Sequence, residues 1–512
     1  SIISNFKINK LQTFINSSFL KTRSDTSETS FLRLNATSVY GFKKSWIGAK
    51  LSAESNTLKQ KPSGILDSLS QRYQSYEGFI GRGDSTQVFV EVGYKFRIND
   101  SLRNTHLERV NHSNTYYLKS QLVKNEHTSL GLFINYRKLI YEEKNRQNEQ
   151  SLNSRLLFDQ RIFNSILRLN TLFETSSGTL PQQEFTYVKV DEGQGVYTWI
   201  DYNGDGVQQL QEFEVAQFND EADFIKVLLP NQIFIKTHQN RFSQLVTLDF
   251  QQWSGKLGFK KFASHFYNQT SYLIDQKILR AGDSFDLNPF DEREDALGLN
   301  VNFRNTLYLN RGKQKFTTSY TYLANTTRNL VSLGLQTSTL RSHQFNFLHK
   351  VKQSYLINLK TDIGTNASTS ENFEQRNYDL TRAEVSPKIS YLINDNSRVE
   401  AFYSLASKEN LLGDFEFLKK QDFGISFSYS NSAKISLNAE AKYIKNEFEG
   451  SAFSPVAYQM LEGLQPGSNF TWTTLAQKRL TKFLDLNVAY FGRKSETSRT
   501  IHTGTVQLRA FF

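Results

Sequence analysis

The chain reads Asp201-Tyr202-Asn203-Gly204-Asp205-Gly206, then five further residues, then Glu212. Asp201, Asn203 and Asp205 place oxygen-bearing side chains at alternate positions, so a tightly wrapped backbone brings all three to one point. Gly206 permits the sharp turn, the Val207 carbonyl adds an oxygen, and Glu212 closes the set with two more. A set of hard oxygen ligands with no histidine or cysteine selects Ca²⁺ over zinc. One structural calcium ion is expected, pinning the long excursion over residues 176–230.

The spacing satisfies every fixed position of D-x-[DN]-x-[DN]-G-x5-E and resembles an EF-hand-type calcium loop. Its flanks depart from that family. Val196-Tyr197-Thr198-Trp199-Ile200 reads as strand where the entering helix would stand, and residues 210–218 suit a helix. The opening motion of a paired sensor is therefore not carried over.

Other chemistry-bearing residues are less organised. The eight histidines, among them His238, His265 and His502, show no H-x-x-x-H or HExxH spacing, and no local pattern assembles a Ser/His/Asp site. Asp291, Glu292, Glu294 and Asp295 read as a solvated loop. Arg82-Gly83-Asp84, with Gly78 and Gly81, reads as a turn, since no strand–helix context supports a phosphate cradle. Ile65, Leu69, Tyr73 and Tyr76 have helical spacing and suggest a short loop helix.

The elements that must position these residues are strands. Phe423, Ile425, Phe427 and Tyr429 alternate with Gly424, Ser426 and Ser428; past Asn431-Ser432, Ile435, Leu437, Ala439, Ala441 and Tyr443 alternate with Ser436, Asn438, Glu440 and Lys442. The same two-residue period runs through Val88–Arg97, Leu297–Arg304, Ala383–Tyr391 and Leu484–Tyr490. These runs reach about 10–14 residues where a soluble strand averages about 5–6, and their apolar faces tend to end in aromatics such as Tyr94, Tyr136, Tyr391 and Tyr443. A strand that crosses a bilayer needs about 9–11 residues, an apolar outer face and aromatic girdles. A large soluble β-sandwich or solenoid also alternates; strand length and aromatic placement favour the membrane barrel.

The expected fold is all-β: a transmembrane antiparallel up-and-down β-barrel of roughly 18–22 strands, with short periplasmic turns and long extracellular loops. The turns include Asn99-Asp100, Asn394-Asp395-Asn396, Asn431-Ser432 and Thr481-Lys482; the loops fall near 56–85, 176–230, 275–294 and 448–468, the last with a short helix over 454–464 opened by Ser454-Pro455. Residues 1–512 read as one barrel domain. The chain starts at Ser1 without a leader, so a processed protein or the C-terminal part of a longer one is expected.

Composition agrees with this expectation and excludes other classes. The 512 residues contain no cysteine, which removes disulfide scaffolds, zinc–thiolate sites and thiol nucleophiles. Mean hydropathy is −0.51 and no 18-residue apolar run occurs, so a helical membrane protein is excluded. An aromatic share of 13% is too rich for a disordered chain. The net charge of +11 is distributed along strand faces (Lys95, Arg97, Arg137, Arg304, Lys388, Lys442, Arg509) and forms no nucleic-acid-binding face.

The chain ends TGTVQLRAFF, with Val506, Leu508, Ala510 and Phe512 on one parity. This resembles the C-terminal β-signal of Gram-negative outer-membrane proteins, in which the last strand closes the barrel against the first. Residues 457–512 also resemble the C-terminal barrel end of very large outer-membrane proteins of unassigned role, which implies a missing N-terminal region. From this resemblance the expected location is the outer membrane. The expected function is a non-catalytic scaffold subunit of an export, assembly or uptake machine. A porin-like or TonB-dependent-type channel is the alternative, and a barrel enzyme a minor one. Outer-membrane lipids, lipopolysaccharide and other outer-membrane proteins or lipoproteins are the expected partners.

Overall fold

The structure is a computed structural model that describes every residue except 62, 85, 281, 283, 292–295, 314, 332–333, 432–433 and 511–512, and side chains except also at 181–183, 230–233 and 331. Among the described residues there are twenty-five strands and two α-helices, of five and seven residues. Among these described residues no helix is long and apolar enough to cross a membrane.

Two compact units emerge. The first comprises Ser1–Leu180, Lys236–Leu245 and Ile274–Asp295; the second comprises Pro181–Ile235, Val246–Leu273 and Ala296–Phe512. In the first, strands from Ile2–Ile8 to Glu149–Ile162 each pair antiparallel with the next in sequence, and Leu167–Ser176 continues the ladder. In the second, the same meander runs without crossover from Gly298–Leu309 to Ile501–Ala510, in strands of 10 to 18 residues.

Residue parity explains the two faces of the second unit's ladder. On one face Asp362 accepts from Ser342 Oγ (3.0 Å), Gln344 Nε2 (3.1 Å) and Arg382 Nη2 (2.9 Å), and Glu400 accepts from Ser390 Oγ (2.8 Å) and Lys388 Nζ (3.3 Å). These two carboxylates are tolerated on that face because each finds several partners. The opposite face is apolar and exposed, and it is banded. Tyr403, Phe423, Tyr443 and Phe470 lie opposite one another on four successive strands, forming one aromatic row. Nearer the short turns, Tyr355 and Tyr391 pair at 5.1 Å between ring centroids, with Tyr429 at a similar depth. Ile389, Ala401, Ile425 and Ala441, level with one another on four successive strands, fill the band between. Beyond the aromatic row, towards the loops, charge appears on the same face, where Lys419 and Lys445 both contact Glu447 (3.5 and 3.1 Å).

Several expectations change. Twenty-five strands exceed the expected 18–22. Two of them form a short ribbon, and the surplus in the meander comes from segments read as loops. Within 56–85, strand Ser45–Gln60 reaches past its expected end and Gln71–Gly83 is a strand, leaving only 61–70 as connection. The helix expected over Ile65, Leu69, Tyr73 and Tyr76 is absent; Tyr73 and Tyr76 belong to Gln71–Gly83. The glycines there resembled turn residues, but Gly81 sits beneath the Trp46 ring, where a Cβ would come within 2.1 Å of it. Likewise Leu167–Lys189 and Phe224–Asp249 take up much of 176–230, and Phe266–Leu279 the start of 275–294. The 448–468 loop carries the expected helix, at Pro455–Leu461, with Ser454 Oγ accepting from Ala457 N at 3.1 Å.

Barrel closure differs too. Among the described residues Ile501–Ala510 pairs with Leu484–Arg493 on one edge and with nothing on the other, and Ile2–Ile8 likewise has one paired edge. Phe511 and Phe512 lie outside the described residues, as do Glu292, Glu294, Asp295 and Ser432.

Candidate metal centre and loop cap

Residues 201–212 form the tip of a β-ribbon. Tyr197–Trp199 pairs antiparallel with Phe213–Val215, in the register Tyr197↔Val215 and Trp199↔Phe213. The strand expected before the loop is present. The helix suggested for 210–218 shrinks to one 3-10 turn, Leu210–Glu212, before Phe213 enters the ribbon. Aromatic packing accounts for this outcome: Phe213 stacks on Tyr187 at 4.1 Å and meets Phe224 edge-on at 5.0 Å, contacts that a continuing helix would break.

The tip brings three of the five expected ligands together. Carboxylate oxygens of Asp201, Asp205 and Glu212 all lie within 4.8 Å of one another. The backbone wraps around Asp201, whose Oδ1 accepts from Gly204 N (2.8 Å) and whose Oδ2 accepts from Gly206 N (2.8 Å). Gly204 and Gly206 have φ of +73° and +72°, a conformation that costs glycine little. Asn203 Oδ1 accepts from Asp205 N at 3.0 Å, and Asp205 Oδ1 from Val207 N at 2.7 Å. Glu212 is only 2% exposed, and its Oε2 accepts from Trp199 Nε1 (2.9 Å) and Gln209 N (3.2 Å). Among the described residues no ion pair reaches Asp201, Asp205 or Glu212. Three carboxylates gathered without a protein cation suit a hard divalent ion with oxygen ligands.

The ribbon is fastened to the ladder by contacts distant in sequence. Arg376 Nη2 donates to Glu214 Oε2 at 2.6 Å and its Nη1 to Phe213 O at 3.2 Å. Glu214 is 1% exposed; burial pushes its carboxyl up, and Arg376 opposes that rise. Arg493 lies over the Phe218 ring at 3.9 Å and donates to Asp220 Oδ2 at 2.9 Å and to Glu221 Oε1. Helix Pro455–Leu461 supplies Tyr458, whose Oη accepts from Gln217 N at 3.2 Å.

That helix also packs onto the ladder. Val456, Ala457, Met460 and Leu461 form a buried cluster with Leu380 and Leu418, flanked by Tyr378 and Phe448. Leu380 and Leu418 belong to the parity of Arg382, Lys420 and Asp422, so the helix covers the loop end of the polar face. Glu462 follows it in the left-handed region (φ +56°) and accepts from Lys408 Nζ and Lys420 Nζ, each at 2.8 Å. Burial would raise its carboxyl, but the two ammonium groups outweigh this and hold it down at about 2. A cavity of about 500 Å³ lies beside the 201–212 loop, lined by Tyr202, Glu212, Glu374, Asn410, Glu416 and Phe453.

The expected ligands Asp201, Asn203, Asp205, Val207 and Glu212 thus share one loop. Sequence reasoning missed Glu214, Arg376, Arg493 and Glu462, whose pairings span 42 to 273 residues. One sequence signal pointed towards this packing: Leu380 and Leu418 are apolar residues at polar parity near the loop end. Elsewhere, His238 lies between Thr175 Oγ1 (2.6 Å) and Ser177 Oγ (3.3 Å).

No protein-family model and no curated protein matches the chain. Solved structures with a similar course include the outer membrane transporter YddB from Escherichia coli, 8% identical over 98% of this chain and 80% of that one, TM-score 0.37. The ferric-catecholate import receptor Fiu from E. coli K12, in its open form, is 8% identical over 94% and 81%, TM-score 0.34. The FrpB iron transporter from Neisseria meningitidis is 9% identical over 94% and 77%, TM-score 0.35.

Proposed function

We propose that residues 1–512 form one outer-membrane β-barrel of the transporter or channel kind, with its polar face lining the passage and a calcium-pinned cap over one end of that face. The observation that carries the membrane reading is the banded outer face of the second unit. An aromatic row, an aliphatic band and a second aromatic level succeed one another along strands long enough to cross hydrocarbon. A water-exposed sheet has no use for Phe423, Ile425 and Tyr443 on its open face. Closure is part of the proposal. A free strand edge in hydrocarbon leaves each unpaired backbone group costing several kcal/mol, so the edges of Ile2–Ile8 and Ile501–Ala510 require partners there. Lys419 and Lys445, above the aromatic row, are suited to the phosphates of outer-leaflet lipid.

Transport is favoured over a scaffold role by how the loops are used. Long loops suggested docking to a partner, but helix Pro455–Leu461 spends its apolar side on Leu380 and Leu418, and the ribbon spends its acids on Arg376 and Arg493. The loops fold onto the ladder they belong to. A structural Ca²⁺ held by Asp201, Asn203, Asp205, the Val207 carbonyl and Glu212 would stiffen that cap.

Planar-bilayer recording tests the proposal. The wild-type chain is expected to conduct weakly, and Arg493→Ala, which frees Asp220 and Glu221, to open in discrete steps. Silence from both chains after verified insertion would sink the passage, and failure to insert would sink the membrane reading.

A further inference from the structure

Within the second unit, the connections at the short-turn end are brief. Those after Gly298–Leu309, Gly334–Val351, Tyr378–Asn394 and Gly467–Thr481 run two to six residues. The connection over 250–265 is sixteen residues long and sits at the same end: His265 O accepts from Asn310 N at 2.7 Å, and His265 Nδ1 meets Asn310 Oδ1 at 2.6 Å.

Its composition is unlike a solvated turn. Leu257, Phe259 and Phe262 are 87%, 78% and 60% exposed, and Lys256, Lys260 and Lys261 stand among them. No acidic residue occurs between 250 and 265. Gly255 and Gly258 have open space where a Cβ would be, so close packing does not explain the bend that presents these side chains. Such projection of large apolar groups into water is costly unless something covers them.

Resting on the membrane reading above, we infer that segment 250–265 inserts Leu257, Phe259 and Phe262 into the headgroup–acyl boundary of an anionic phospholipid leaflet, with Lys256, Lys260 and Lys261 at the phosphates. Interleaved aromatic and basic residues without acids are what an interfacial segment requires. A protein partner would need polar complementarity that the segment does not offer, whereas three lysines complement an anionic surface directly. Each lysine near such a surface is worth roughly a fivefold gain in partitioning. Lys260 is positioned for this role: its Nζ lies 5.8 Å from the Trp253 ring centroid, keeping charge beside an interface-preferring indole.

The absence of cysteine from the chain makes the test clean. Single cysteines are introduced at Leu257→Cys, at Phe259→Cys and, as reference on the apolar outer face, at Ile425→Cys. Each is labelled with an environment-sensitive fluorophore in the full chain, reconstituted into vesicles of phosphatidylcholine with or without phosphatidylglycerol. Lipid-borne spin labels are expected to quench the 257 and 259 probes several-fold more strongly when phosphatidylglycerol is present. Lys256→Gln with Lys260→Gln and Lys261→Gln should remove that difference. If the 425 probe is quenched while 257 and 259 respond only to aqueous iodide, the inference is overturned and the membrane reading stands. Equal quenching in both lipid mixtures overturns the anionic assignment. If the 425 probe sees no lipid, the membrane reading itself has failed.

Discussion

Met460→Ala is the most direct probe of how the cap is held. Met460 is wholly buried between the loop helix and two ladder residues, Leu380 and Leu418. Helix Pro455–Leu461 has seven residues, too few to persist alone, so its order must come from this contact, the Ser454 cap and the Glu462 pairs. Truncating a buried methionine to alanine costs about 2–5 kcal/mol, part transfer and part residual cavity. Even the lower figure raises the population of the undocked loop about 30-fold, and 3 kcal/mol about 150-fold. Hydrogen exchange of the full chain in detergent, read by mass spectrometry, reports this population directly where reclosing is fast. Peptides covering 454–464 should lose at least about 30-fold protection, while those from Ile435–Glu449 stay unchanged. Leu418→Ala should affect the same peptides, and the double variant should fall short of the summed losses because the two side chains touch a common cluster. A loss below about threefold in Met460→Ala would refute the reasoning, since the cluster would then not be what holds the helix.

Two further outcomes concern charge. Asp201→Ala combined with Glu212→Ala should speed protease cleavage within 176–230, and chelator should do the same to the wild type; an ion present at a hundred times its Kd would otherwise suppress opening by about 2.7 kcal/mol. Equal cleavage of all samples would refute the calcium assignment. Glu462 has a folded pKa of about 2 against an ordinary 4.5, so its stabilisation is complete above pH 4.5 and lost as pH falls towards 2. Protection of 454–464 should therefore decline across that window, and less so in Glu462→Gln. Glu214, raised by burial, titrates with the opposite sign, so the difference between wild type and Glu462→Gln isolates the latch; identical pH profiles would show that Glu462 contributes nothing.

Much of the ladder could be read from period-two polarity, because alternation is local: each residue reports its own face. The wrapped turn over 201–212 was equally legible, since the five residues that set it fall within twelve positions. What escaped was either non-local or disguised. Arg376 and Arg493 carry no mark of their acidic partners until the chain folds back over 162 and 273 residues. Gln71–Gly83 was hidden by its glycines, of which Gly81 reflects an overlying indole rather than a reversal of direction. The helix supposed for 65–76 mistook one coincidence of spacing for a period. Of the ribbon's two strands Tyr197–Trp199 was expected, whereas Phe213–Val215, three residues long, lies below the length at which alternation is recognisable.

The glycines have one more consequence. In an antiparallel ladder a slip of one residue turns every side chain to the wrong face and is strongly penalised. A slip of two restores the faces, and polarity alone does not forbid it. Trp472 lies directly opposite Gly492, and Phe402 opposite Gly424, with each ring occupying the space a Cβ would need, to within 2.1 Å. Sliding either pair by two residues would set Trp472 against Tyr490 or Lys494, and Phe402 against Asp422 or Ser426. The aromatic–glycine pairs thus act as alignment pins, excluding the misalignment that hydrophobic patterning leaves open.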